Sequence, residues 1–236
     1  MAFIIGCGRS GTTWLGRILA ASEGFRVTIE QQPIFHLVDR MALDFRGRRS
    51  LMALLIRLYE EEIARSIPRT YVDKSHQNIW LAELLLDAFP DVHFLGIERS
   101  PYGTIASMLQ HREVLAHFQR WQLYPVPNRH IGLASDLVNR YDALPLVAKC
   151  ALRWREHHRR INELRAALGD RLLVIEYERC IRDLESNVRL LSDFLGREIA
   201  SLPVDPAPLT KWREILSSQD RCLIDEIVLR ADPESC

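Results

Sequence analysis

The chain has 236 residues, 47% of them hydrophobic, ample for one core and modest for two, so a single domain over residues 1–236 is expected. Its 31 basic and 31 acidic side chains cancel, which excludes a global field drawing in nucleic acid or an anionic membrane. No apolar run approaches the ~20 residues that span a bilayer, and the first strand starts at Ala2 without a leader, so the expectation is a soluble, cytoplasmic protein. Cys7, Cys150, Cys180, Cys222 and Cys236 are scattered, which suits reduced thiols better than a disulfide framework or a zinc site.

The apolar run Ala2-Phe3-Ile4-Ile5 predicts a buried strand, Gly6 to Gly11 a glycine loop, and the spacing of Leu15, Ile18 and Leu19 a helix from Thr12. Amide groups in such a loop and at a helix N-terminus converge on one spot and favour an anion there. The spacing of Gly6 and Gly11 matches a nucleoside-triphosphate loop, but Thr12 stands where that motif needs lysine. Arg9 supplies a cation from inside the loop instead. Cys7 is read as a small filler, because a catalytic thiol needs an identifiable activator.

The run Gly8-Arg9-Ser10-Gly11-Thr12-Thr13-Trp14 resembles the 5′-phosphosulfate loop of sulfotransferases that use 3′-phosphoadenosine 5′-phosphosulfate (PAPS). The resemblance implies that these residues hold the donor, with Arg9 also assisting transfer. Phe25 to Ile29 then reads as a strand ending at Glu30, and Pro33 prevents its continuation. Glu30 follows Arg9 by the interval that separates the loop arginine from the proposed general base in tyrosylprotein sulfotransferases. Residues 34–66 read as helical, broken at Arg46-Gly47-Arg48-Arg49, which is either an exposed turn or a contact for an anionic acceptor.

Thr70 to Asp73 predicts a short strand before Lys74-Ser75-His76, a tripeptide similar to the Lys-Thr-His of cytosolic sulfotransferases. There the lysine assists transfer and the histidine is the base; other branches carry proline at the third position. Of the two candidate bases the reading leans to Glu30, because arginine in the loop is the habit of the carboxylate branch, with His76 orienting or binding the acceptor. Trp80 to Ala88 predicts a helix stopped by Pro90, and Val92 to Ile97 a strand ending in Glu98-Arg99-Ser100-Pro101. Arg99 with Ser107 two helical turns on resembles the sulfotransferase 3′-phosphate site, where bidentate capture by arginine selects PAPS. His111 stands where the tyrosylprotein branch has a further arginine.

Glu113 to Arg140, polar and broken by Pro125 and Pro127, reads as a lid or acceptor-binding loop rather than core. Cys150 to Leu168 predicts an amphipathic helix stopped by Gly169, with Arg153, Arg155, Arg159 and Arg160 read mainly as a solvated face. Arg171 to Ile175 predicts the last strand, and Leu184 to Leu195 a helix ending at Gly196. By the resemblance Tyr177 lies beside the adenine, and Lys211 and Arg213 occupy the region of a basic, nucleotide-closing segment, though without its Arg-Lys-Gly pattern.

These elements predict a three-layer α/β/α fold with a parallel central sheet and P-loop-like topology. The resemblance implies sulfuryl transfer from PAPS to an acceptor hydroxyl of a small molecule, carbohydrate or tyrosine, without a metal. Two alternatives stand beside it: a small P-loop kinase, opposed by Thr12 and by Arg99 where a magnesium carboxylate is wanted, and a nucleotide-binding module without turnover.

Overall fold

A computed structural model describes residues 1–203 and 205–229. The chain runs β1 (Ala2–Gly6), α1 (Thr12–Ala20), β2 (Phe25–Ile29), α2 (Ile34–Leu43), α3 (Arg48–Ser66), β3 (Thr70–Lys74), α4 (Ala82–Ala88), β4 (His93–Glu98), α5 (Pro101–Leu109), α6 (Arg112–Gln119), α7 (Leu146–Leu168), β5 (Leu172–Glu176), α8 (Tyr177–Arg182), α9 (Leu184–Leu195), α10 (Trp212–Ile215) and α11 (Ser218–Leu229). The strands form one sheet in the order β2-β3-β1-β4-β5, and every pairing is parallel. This is the expected α/β/α architecture.

β1 lies at the centre and is buried along its whole length, as an uninterrupted apolar strand must be when helices cover both faces. The two-residue period of the strand divides its side chains. Phe3 and Ile5 enter a core with α2, α3, α4 and α7, including Met41, Tyr59, Leu85 and Ile161. Ala2 and Ile4 enter the opposite core with Leu15, Ile18 and Leu19 of α1 and Val188 and Leu191 of α9.

A third core contradicts one expectation. Residues 113–140 are not an open loop: they form α6 and three short 3-10 turns, and Phe118, Trp121, Ile131 and Leu133 are buried with α5, α7 and α11. The sequence hides this because its prolines and 3-10 turns break any single apolar period, whereas in space those residues meet one face of α7. Side chains tie the segment down, with Asn128 Nδ2 donating to the Leu43 carbonyl at 2.8 Å and Tyr141 Oη to the Ile131 carbonyl at 3.0 Å. Helix α11, which the sequence reading did not anticipate, closes this core. Cys7, Cys150 and Cys180 are buried free thiols and Cys222 is an exposed one, while Cys236 lies outside the described residues. Among the described residues no helix is long and apolar enough to cross a membrane.

Candidate active site

A parallel sheet brings all its carboxyl ends to one edge. Five successive connections therefore meet there: the loop after β1, Glu30 after β2, Lys74 and His76 at and after β3, Arg99 after β4, and Tyr177 after β5. Around them opens a cleft of about 600 Å³ whose lining includes Gly8, Arg9, Gly11, Thr12, Thr13, Trp14, Glu30, Lys74, His76, Arg99, Ser107 and Tyr177. Of the residues singled out from the sequence, Ser10, Lys211 and Arg213 do not line it.

The loop is shaped by backbone that only glycine suits. Gly11 caps α1 at φ 105°, and a Cβ there would stand 2.5 Å from the Tyr177 ring. A Cβ on Gly8 would fall 2.8 Å from His76 Nε2, so glycine is what admits the imidazole to the loop. Ser10 turns inward, donating to the carbonyls of Cys7 at 2.6 Å and Ile97 at 3.1 Å, and so pins the loop to β4. Cys7 is buried and its thiol is pushed up to about 12 by burial, in keeping with a filler. No side chain caps α1, so its first-turn amides are left without intrahelical acceptors at the cleft.

Arg9 and Glu30 are the two non-glycine residues with positive φ among the described residues, at 77° and 50°. Such backbone costs on the order of 1–3 kcal/mol and concentrates at functional sites. Arg9 Nε donates to Ser107 Oγ at 3.1 Å, and its carbonyl accepts from Arg99 Nη1 at 3.3 Å. Arg99 is held further by the Pro208 carbonyl at 2.7 Å and by the Tyr177 ring, 4.6 Å beneath its guanidinium carbon. Its Nε is buried without a partner. Trp14 meets Tyr177 edge to face at 5.8 Å. Lys211 and Arg213 are exposed, in the segment that supplies the Pro208 carbonyl, and Arg213 lies over Trp212.

On the other wall Lys74 Nζ contacts Glu30 Oε1, and His76 Nδ1 lies 3.4 Å from the same oxygen. Burial would raise the Glu30 carboxyl, but His76 and Lys74 outweigh it and hold the group down at about 2. Burial lowers His76 to about 4, so at neutral pH the imidazole is uncharged and Lys74 is the cation that Glu30 faces. Burial, with Arg9 nearby, also lowers Lys74, against the pull of Glu30. Beneath them Asp73, fully buried and pushed up to about 6 by burial, accepts from Tyr59, Thr28, Asn78 and Ser75 and braces the end of β3.

A sequence profile described as the sulfotransferase family matches residues 2–201. The chain belongs to the sulfotransferase family. No curated protein matches it by sequence search. Among solved structures, the sulfotransferase domain of the Synechococcus PCC 7002 olefin synthase is 20% identical, with a TM-score of 0.60 over 99% of this chain and 95% of that one. The sulfotransferase domain from the curacin biosynthetic pathway is 17% identical, with a TM-score of 0.59 over 98% of each chain. The mouse sulfotransferase SULT7A1 complexed with PAP is 15% identical, with a TM-score of 0.55 over 96% of this chain and 82% of that one. At these identities the likeness is one of fold.

The cleft also contains residues the sequence reading passed over as site residues: Asp39, Gln77, His117, Arg120 and Arg153. Arg153 corrects the expectation of a solvated arginine face on α7, being 1% exposed. In the structure Cys150, Arg153 and His157 share one side of the helix and all three are buried, which spacing along the sequence does not by itself reveal. The basic run around Arg46 to Arg49 is absent from the cleft; Arg48 Nε instead donates to the Met41 carbonyl at 2.7 Å.

Proposed function

We propose that the chain is one catalytic domain that transfers the sulfuryl group of PAPS to an acceptor hydroxyl. The observation that carries this reading is the meeting, in one cleft, of an uncapped glycine loop and helix N-terminus with Arg9, Arg99, Ser107 and Lys74. The residues fit such a donor: the glycine cradle would be filled by a single Cβ, and the cations Arg9 and Arg99 line the same cleft as Ser107. Gly8 to Thr13 would hold the 5′ end, Arg99 and Ser107 the 3′-phosphate, and Trp14 with Tyr177 would flank the base. When bound, the donor supplies an activated sulfuryl group and leaves as adenosine 3′,5′-bisphosphate.

The chain's own groups then position the acceptor oxygen and handle its proton and charge. Lys74 and Arg9 counter the negative charge that develops on the bridging and equatorial oxygens. The acceptor proton goes to His76 Nε2, and Glu30, 3.4 Å from Nδ1, is the carboxylate that the resulting imidazolium would face. This exchanges the roles expected from the sequence, for a physical reason. Glu30 is already engaged by Lys74, whereas His76 Nε2 is turned to the glycine loop, where a Cβ on Gly8 would fall 2.8 Å from it.

A magnesium-dependent kinase is disfavoured by Glu98, which pairs with His158 at 2.7 Å and Arg165 at 2.8 Å rather than lining the cleft. The test is calorimetric titration with adenosine 3′,5′-bisphosphate and with ADP. The bisphosphate should bind more tightly, and Arg99→Ala should remove ~2 kcal/mol or more of its affinity while changing ADP little. Equal losses for both nucleotides would sink the assignment.

A further inference from the structure

Helix α7 passes beneath the cleft and presents Arg153 to it. This is the largest fully buried side chain among the described residues, yet it lines the cleft. Its polar environment is incomplete. Nη1 lies 3.2 Å from His130 Nε2, whereas Nε is buried without a partner, and no carboxylate of the described residues comes within 4.0 Å of the guanidinium.

Nothing around it supplies the missing charge. The Cys7 and Cys150 thiols are pushed up to about 12 by burial, so they stay protonated. Burial lowers His76 and His117 to about 4, and His130 and His157 well below the ordinary imidazole value. The ring centres of His117 and His130 stand 5.7 Å apart and those of His130 and His157 5.5 Å, a neutral edge-to-face row leading from the cleft to α7. Asp39, the carboxylate on this wall, is taken by Gln77 Nε2 at 2.9 Å and lies 3.8 Å from His117. An unpaired buried guanidinium is costly unless an anion arrives to meet it.

The donor side of the cleft has its own cations, Arg9 and Arg99, already tied to each other and to Ser107. Arg153 instead meets His130 and the Cys7 thiol, and it lines the cleft together with His117 and Gln77. We propose that Arg153 is an anion subsite at the floor of the acceptor side, so that the acceptor is a hydroxylated molecule carrying a carboxylate or comparable oxyanion. The identification of this side as the acceptor's rests on the sulfotransferase reading; the presence of an anion subsite does not.

The experiment compares 4-hydroxyphenylacetate with 4-hydroxyphenylacetamide, binding each by calorimetry to the protein saturated with adenosine 3′,5′-bisphosphate and again without nucleotide. The acid should bind at least about tenfold more tightly than the amide, the scale of one charge-assisted hydrogen bond. Arg153→Gln should bring the two within about twofold while nucleotide affinity is retained, and Arg153→Lys should keep part of the preference. Equal binding of acid and amide by the unaltered protein overturns the subsite, as does a preference that survives Arg153→Gln. Collapse of nucleotide affinity in that variant, with the acid preference intact, reassigns Arg153 to the donor. Should the unaltered protein fail to bind the bisphosphate, the donor reading falls, while the nucleotide-free comparison still judges the subsite. If Arg153→Gln does not fold, Arg153→Lys and the unaltered protein decide.

Discussion

Asp73 and Arg153 are both charged-type side chains buried near the cleft, and they are finished in opposite ways. Asp73 is met by Tyr59 Oη and Thr28 Oγ1 at 3.2 Å, Asn78 Nδ2 and the Ser75 amide at 3.0 Å, and Ser75 Oγ at 3.3 Å. Arg153 has His130, the neutral Cys7 thiol and an orphaned Nε. A saturated buried network specifies one geometry and holds it, whereas an unsaturated one stores interaction for something that is not part of the fold. The difference separates the rigid bracket beneath Lys74 and His76 from a surface prepared for a ligand.

The largest expected effect lies on His76, flanked by Ser75 and Asn78, which the Asp73 bracket holds. His76→Asn should lower turnover by ~10²- to 10⁴-fold, the usual worth of a positioned base, with bisphosphate affinity little changed. Glu30→Gln should lower it less; steady-state kinetics in which Glu30→Gln is the more damaging would return the proton to the carboxylate.

Removing the saturated group comes next. Asp73→Ala leaves its donors facing a cavity and should cost on the order of 3 kcal/mol of stability in denaturant unfolding. Loss of less than ~1 kcal/mol would mean that the network does not brace the strand end.

The two clusters also respond oppositely to acid. His76 and His117 titrate near 4 in the folded protein and near ~6.5 when unfolded. The unfolded chain therefore takes up protons that the folded one refuses, and the stability these groups contribute above ~6.5 is lost as pH falls toward about 4. Asp73, at about 6 folded and ~3.9 unfolded, works against this across much of the same window. Because His130 and His157 are lowered as well, the imidazoles prevail. Stability should fall by at least ~1.4 kcal/mol per pH unit between ~6 and ~4.5, the value for one net proton. A flat or rising profile there would contradict the buried, neutral state of these histidines.

The smallest effect is the most telling contrast. Arg153→Met removes an unpaired buried charge and should leave stability within ~1 kcal/mol of the unaltered protein, or raise it. A loss as large as that of Asp73→Ala would show that Arg153 is satisfied by the fold itself.

Much of the sheet edge was legible from residues in local order. The strand Phe25–Ile29 has the predicted bounds, and Gly169 and Gly196 end α7 and α9 as expected. The glycine loop, Glu30, Lys74, His76, Arg99 and Tyr177 could be placed together because each ends or follows a strand, with Ser107 on the helix after β4, and parallel strands end on one side. Periodicity, glycine stops and short motifs are local signals, and they suffice for elements that announce themselves in a few residues.

What only the tertiary structure decided depends on partners distant in the chain. Residues 113–140 became core because α7 offered them an apolar face, which no window along the sequence contains. Glu30 received its low pKa from Lys74 and His76, reached across a β-strand pairing rather than along the backbone. Arg153 looked like one member of a solvated arginine face, and its burial follows from where α7 lies against the cleft. Helical spacing ranks the residues of one face alike, while the cost of burying a charge is set by everything that packs around it.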